Sequence, residues 1–219
     1  MSGNGKILVL GASSFVGRHL VAKLGAERVI ATYNTNPIEG FRKFDSTTMA
    51  VDDVIDDWSA IDAAVLLLGD TQPDSCIADP ERSRAVNVTA IARVVDRLAE
   101  KRVPIVFTSS EFVFDGHRGG YAEIDAAEPI LLYGAQKLEA ESHLAARTPD
   151  YAILRLAKIY GLEPGDGTLF TGMLNTVTRG GAVKCAADQR FSPVFVGDVA
   201  DAIIAAVEKP LRGVYHVCG

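Results

Sequence analysis

The chain has 219 residues, 48% of them hydrophobic, which is enough apolar material for one sizeable core. A net charge of −6 and the lack of a basic cluster argue against a nucleic-acid partner. No apolar run reaches the ~18 residues needed to cross a bilayer, and the polar start Met1-Ser2-Gly3-Asn4-Gly5 is not a secretion signal, so a cytoplasmic chain without a membrane partner is expected.

Lys6 to Leu10 reads as a buried strand, and Gly11-Ala12-Ser13-Ser14-Phe15-Val16-Gly17 turns into a helix from Phe15 to Leu24. Gly11 allows the tight turn, amides at the helix start can bind a pyrophosphate, and Gly17 lets helix and strand approach closely. Ser14 occupies the middle glycine position, so it must tolerate the close approach or use its hydroxyl on a phosphate. A second strand, 28–33, leads into Asn34-Thr35-Asn36, with no carboxylate where a ribose 2′-hydroxyl is usually gripped. That absence favours NADP over NAD. Asn34, Thr35 and Arg18 are candidate phosphate contacts, although polar residues after a strand also serve as simple turn formers.

A short strand near 43–45, a helix near 50–57 and a strand at 63–68 come next. An amphipathic helix, 80–101, precedes the strand 104–108, and a helix over 132–147 precedes the strand 151–156. This alternation implies an α/β fold with a doubly wound parallel sheet, which places ligands beyond the carboxyl ends of its strands. No internal repeat, low-complexity tract or linker divides the chain. Cys76, Cys185 and Cys218 are odd in number and widely spaced, as expected of reduced thiols. The four histidines are scattered, without metal-ligand spacing.

Tyr133 and Lys137 fall on one face of the helix 132–147, so the ammonium can lie close to the phenol. The cation is expected to lower a tyrosine pKa that normally lies near ~10, toward values useful in acid–base chemistry. Ser110, at the end of the preceding apolar strand, would hold a substrate carbonyl. Tyr-x-x-x-Lys alone is common on helix surfaces; the glycine-rich turn and the serine give it weight.

Together these residues resemble the short-chain dehydrogenase/reductase superfamily, in its extended branch that acts on nucleotide sugars. Within that branch the chain is similar to the dTDP-4-dehydrorhamnose reductase-like group nearly end to end. Thr71-Gln72-Pro73-Asp74 with Asp79 to Val88, Ser109-Ser110-Glu111-Phe112-Val113-Phe114-Asp115-Gly116, Leu154-Arg155 with Ile159-Tyr160-Gly161, Asp188 to Pro193, and Val196-Gly197-Asp198-Val199-Ala200 match its motifs in order.

The resemblance implies a Rossmann fold with a small carboxyl-terminal substrate-binding portion. It implies a single domain over 1–219, with 1–160 mainly dinucleotide-binding and catalytic and 161–219 mainly lining the substrate pocket. Ser110, Tyr133 and Lys137 would be the catalytic triad, with Ser109 a weaker candidate. NADP would contact Gly11, Ser13, Ser14, Phe15, Val16, Gly17, Asn34, Thr35, Asp45, Ser46, Leu68, Gly69, Asp70 and Asn87, together with Tyr133 and Lys137. Thr71, Ser110, Glu111, Gln189 and Arg190 would face the substrate, although Gln189 and Arg190 also suit a solvated loop. Arg155 is expected to make a structural contact. Asp70 departs from the small residues usual there and would bring a negative charge toward cofactor or substrate.

The activity so implied is NADP-dependent reduction of a carbonyl to an alcohol, on a sugar nucleotide or related small keto substrate. A nucleotide-sugar epimerase or dehydratase that retains its cofactor, and a non-catalytic NADP-binding regulatory subunit, are the alternatives. The chain stops near where relatives continue into further substrate-binding elements, so a small or open pocket is expected. A homodimer through 80–101 and 132–147 is the family expectation, although burial against the sheet explains the same apolar faces.

Overall fold

The structure, a computed structural model, describes residues 5–209 and 211–219. Strand β1 (Lys6–Leu10) has apolar side chains on both faces: Ile7 and Val9 enter one core cluster, Leu8 and Leu10 the other. That division marks a central strand covered by helices on two sides. Its neighbours are β2 (Val29–Tyr33), which pairs with the short β3 (Arg42–Lys43), and on the other side β4 (Ile61–Leu66). Beyond β4 come β5 (Ile105–Ser110), β6 (Tyr151–Leu156) and β9 (Gly213–Val217), giving a sheet ordered β3-β2-β1-β4-β5-β6-β9 with every pairing parallel. Strand order reverses at β1, so a crevice opens beyond the carboxyl ends of β1 and β4, where this class of sheet receives ligands.

One face is covered by α1 (Phe15–Leu24) and α7 (Val196–Glu208), which bury Leu20, Val199 and Ile203 against Val9 and Val65. The opposite face receives α4 (Ala90–Glu100) and α5 (Leu132–Arg147), with Ile91, Val94, Leu98 and Leu144 against Leu10, Leu66 and Phe107. Each such leucine, fully removed from water, contributes roughly 1.5–3 kcal/mol. The apolar stripe of α4 is thus spent on the sheet. The outward sides of these helices carry polar pairs within the chain, Glu139 with Arg84 from the segment before α4, and Asp96 with Arg147 and the His143 ring.

Several elements differ from the sequence expectation. The helix expected near 50–57 is a pair of 3-10 turns, Val51–Val54 and Trp58–Ala60. Asp53 accepts from the Ala50 amide and Asp57 from the Ser59 amide, local bonds that compete with an α-helix. The strand expected at 63–68 runs from Ile61 to Leu66, which releases Leu67 to Gly69 into the crevice. In place of one helix over 80–101 there are α3 (Pro80–Arg84), a π turn at Ala85–Thr89, and α4. A preceding helix, α2 (Pro73–Ala78), was not expected, nor were α7 and β9. A two-stranded sheet of β7 (Ile159–Tyr160) and β8 (Val194–Phe195) was likewise unforeseen, whereas helix α6 (Leu169–Thr178) spans the residues that read as helical in the sequence.

Arg155 on β6 makes the structural contact expected of it. Its guanidinium holds Glu141 of α5 through Nη2 at 2.7 Å and through Nε at 3.1 and 3.2 Å, with the two side chains only 7% and 5% exposed. A buried charge stripped of its partner is costly. Glu141→Ala is therefore expected to destabilise the fold by about 3–5 kcal/mol. Urea unfolding followed by circular dichroism should show a lower midpoint with an unchanged slope.

Candidate active site

The turn between β1 and α1 is built by close backbone contacts. Gly11 has φ +87°, and a Cβ there would lie 2.7 Å from the Leu67 carbonyl oxygen. A Cβ on Gly17 would enter the Ala12 backbone. Thr32 of β2 braces the turn: its hydroxyl accepts from the Gly11 amide at 3.0 Å, and its carbonyl accepts from Ser13 N at 3.2 Å. Ser14 precedes the first residue of α1. Its hydroxyl caps α1 by accepting from Gly17 N at 3.1 Å. The amides of Phe15 and Val16, where a helix has no internal acceptor, remain suited to an anion.

Ser110 ends β5 and caps the 3-10 turn Glu111–Val113, accepting from Phe112 N at 3.3 Å. Tyr133 and Lys137 lie in the first turns of α5, with relative exposures of 5% and 2%. The helix comes this close because residue 134 is glycine; a Cβ there would strike the Phe112 carbonyl. Gly134 is a positioning residue that spacing arguments missed, and its place beside Tyr133 was the available signal. The Lys137 ammonium donates to Thr108 O at 3.0 Å and Leu68 O at 3.4 Å, and sits 5.9 Å from the centre of the Tyr133 ring.

Their electrostatics differ from the expectation of a tyrosine acidified by its lysine. Burial pushes the Tyr133 pKa well above the ordinary phenol value, while the neighbouring Ser110 hydroxyl opposes the shift. Lys137 aims its donors at backbone carbonyls and is itself affected by burial, which brings its pKa down to about 8 against the pull of Glu141. Tyr133 therefore keeps its phenolic proton at neutral pH.

The segment after β4 is tied to α5 by a buried polar network. Asn87, fully buried in the π turn, accepts from Asp70 N at 2.7 Å and donates to Asp70 O at 3.1 Å and Gln136 Oε1 at 2.8 Å. Gln136 in turn donates to Ser83 Oγ at 2.9 Å. Asn87 thus holds Leu68, Gly69 and Asp70 in place from behind, with its amide already engaged. The Asp70 carboxylate does not stand open toward the crevice: it pairs with Ser75 Oγ at 2.6 Å and Arg82 Nη1 at 3.0 Å. Its charge still contributes, weakly, to the upward shift at Tyr133.

Around the second strand, Asn34 and Thr35 are exposed, and Asn34 Oδ1 accepts from Lys43 Nζ at 2.7 Å. Asp45 is occupied with Thr47, whose amide and hydroxyl donate at 2.9 and 2.6 Å and hold its carboxyl below the usual range. Ser46 is buried at the rim of a groove of about 290 Å³. The arginines of that groove are already engaged, Arg97 by Asp52 and Arg93 by the Thr47 and Met49 carbonyls. On the substrate side, Glu111 directly follows Ser110, and burial raises its pKa against a hydrogen bond from the Lys158 amide. Thr71 is exposed. Gln189 and Arg190 are exposed in the loop between α6 and β8 and make no hydrogen bond to Ser110, Tyr133 or Lys137. Among the described residues no cluster of His, Cys, Asp and Glu could hold a metal, and no helix is long and apolar enough to cross a membrane.

The depressed Lys137 pKa carries a sign. Between about pH 8 and the unfolded lysine value near 10.5 the unfolded chain binds one more proton than the folded one, so stability from this group rises with pH across that window. Denaturant titrations at pH 7, 8, 9 and 10 should show this rise in the parent chain and its loss in Lys137→Met.

The family model described as RmlD substrate binding domain matches residues 5–219. The "Probable low-salt glycan biosynthesis reductase" of Haloferax volcanii is 31% identical over 175 residues, covering 78% of this chain and 58% of that protein. The crystal structure of a hypothetical dTDP-4-dehydrorhamnose reductase from Sulfolobus tokodaii superposes with a TM-score of 0.83 at 28% identity, covering 98% of this chain and 76% of that one. A dTDP-4-dehydrorhamnose reductase from Bacillus anthracis, solved in complex with NADP, has the same fold, with a TM-score of 0.81 at 22% identity and coverage of 99% and 75%. The chain spans less than two thirds of the length of the first curated relatives it matches. With nearly every residue matched and the expected parallel sheet in place, the chain belongs to the RmlD substrate-binding domain family, within the extended short-chain dehydrogenase/reductase superfamily.

Proposed function

We propose that this chain binds NADPH and reduces a carbonyl of a sugar nucleotide, or of a related small keto substrate, to an alcohol. One observation carries the reading: Ser110 and a protonated Tyr133 stand together at the carboxyl end of β5, with Lys137 one turn further along α5. The residues fit the dinucleotide, because glycine at 11 and 17 lets the turn after β1 close tightly on backbone, and the helix that follows starts with amides suited to a pyrophosphate. Gly11, Ser13, Phe15, Val16 and Gly17 would hold its phosphates, and Leu68, Gly69 and Lys137 its nicotinamide side.

When bound, NADPH supplies a hydride to the carbonyl carbon. Ser110 and Tyr133 hydrogen-bond the carbonyl oxygen, and Tyr133 passes its hydroxyl proton to that oxygen as charge develops there. The Lys137 ammonium, charged at pH 7, steadies the phenolate left behind. Glu111, next to Ser110 in the sequence, would contact the substrate, with Thr71, Gln189 and Arg190 closing in from the loops. The proposal keeps one domain, with 161–219 lining the pocket, in a cytoplasmic protein. A homodimer through α4 and α5 would join polar, ion-paired surfaces; a monomer by light scattering at micromolar concentration removes it.

Tyr133→Phe keeps the ring and removes the proton. Turnover of a keto-sugar nucleotide is expected to fall by ~10²-fold or more while NADPH binds as before. Near-normal turnover would remove Tyr133 from this role, and turnover without net NADPH consumption would point to an epimerase instead.

A further inference from the structure

The turn Glu111–Val113 touches both Ser110 and the start of α5. The Phe112 amide donates to Ser110 Oγ at 3.3 Å, the Phe112 ring meets the Tyr133 ring edge-on at 6.1 Å, and the Phe112 carbonyl fills the space that a side chain on residue 134 would need. A hydroxyl offers one proton and two acceptor sites. With one acceptor site of Ser110 taken by the amide, its proton is left for Tyr133 or for a substrate oxygen. A shift of this turn would reorient the Ser110 hydroxyl.

What holds the turn is the residue that follows it. Phe114 N closes it by donating to Glu111 O at 3.1 Å, and the Phe114 side chain is buried. The Arg155 guanidinium lies 5.1 Å from the centre of the Phe114 ring, and the His216 ring meets it edge-on at 5.5 Å. Arg155 and His216 stand in register on β6 and β9, and Arg155 is itself fixed by Glu141, so the ring rests on a floor built into the sheet. Tyr121 stacks on the same ring at 4.4 Å with the planes 6° apart, and Arg118 covers Tyr121 at 4.8 Å. Contacts of these kinds depend on a flat π face and favour one setting of the ring, which an aliphatic side chain of similar size would not keep.

On the reading of this chain as a carbonyl reductase, we propose that Phe114 is a positioning residue: packed against Arg155, His216 and Tyr121, it fixes the turn that sets the Ser110 hydroxyl beside Tyr133. It touches neither substrate nor cofactor and acts through Ser110.

Reduction of a keto-sugar nucleotide by NADPH, compared in the parent chain, Phe114→Leu, Ser110→Ala and the double variant, tests this. Phe114→Leu should lower kcat about tenfold, as small misplacements of reacting groups do, with KM and NADPH affinity within about twofold. Phe114→Tyr keeps the ring and should keep most of the rate. Because Phe114 acts through Ser110, adding Phe114→Leu to Ser110→Ala should cost less than about twofold more. In the reverse, alcohol-oxidising direction, the alkaline limb of the rate should move to higher pH in Phe114→Leu as in Ser110→Ala, since a hydroxyl that steadies the phenolate is released. A full tenfold loss on top of Ser110→Ala, or near-normal kcat in Phe114→Leu, would overturn the proposal. So would a parallel loss of NADPH binding, which marks a loosened fold. If Phe114→Leu does not fold, Tyr121→Leu takes its place with the same expected pattern. Normal turnover in Ser110→Ala would remove the reductase reading and this inference with it, an outcome distinct from loss of the link between Phe114 and Ser110 alone.

Discussion

A lysine ammonium cannot be taken out of water unless its donors are satisfied, and Lys137 is 2% exposed. Its partners are carbonyls from two different strand ends, Thr108 O within β5 and Leu68 O just past β4. Helix α5 is therefore pinned across the crevice between those strands. The same helix carries Tyr133 toward Ser110, Gln136 into the network around Asn87, and Glu141 against Arg155. Four successive polar anchors on one helix define its rotation and its depth. A purely apolar helix packed on this sheet would have no such unique setting.

Close approach of backbone to backbone is the second constraint. Gly11 and Gly17 let α1 sit against the end of β1, and Gly134 lets α5 sit against the turn after β5. At Gly11 the turn after β1 meets the Leu67 carbonyl just past β4 with no side chain between them. The walls are therefore main chain, whose amides and carbonyls are fixed dipoles, and the titratable groups are few and deliberately placed. That economy explains why burial dominates the pKa values of Tyr133 and Lys137, with neighbouring charges a secondary influence.

Much of this was legible in the sequence, and the reasons for the failures are physical. β1, β2 and β6 are short apolar runs bounded by turn residues, and α1 and α5 begin beside recognisable motifs, so local pattern sufficed. The helix 80–101 was drawn too simply because its π turn answers to Asn87 reaching Asp70 and Gln136, contacts made across the fold. At 50–57 the aspartates bond their own backbone, a competition that apolar spacing does not report. Asp70 was read as an open charge because its partners Ser75 and Arg82 reach it only once α2 and α3 have formed. The direction of the Tyr133 shift was misread because spacing supplies the distance to a lysine and says nothing about the loss of water.

The π turn at Ala85–Thr89 has a consequence for how this segment tolerates change. A π turn holds one residue more than the α-helix that could replace it. Deleting a single residue there would restore a regular helix with every backbone bond intact, so the segment itself would lose nothing. Arg82 and Ser83 upstream and α4 downstream would keep nearly the same facing, because a π turn spreads about the rotation of an α turn over one residue more. What would be lost is the bulge that carries Asn87 out to Asp70 and Gln136. The extra residue is a local outward step in the chain, and the link from this segment to the crevice depends on it.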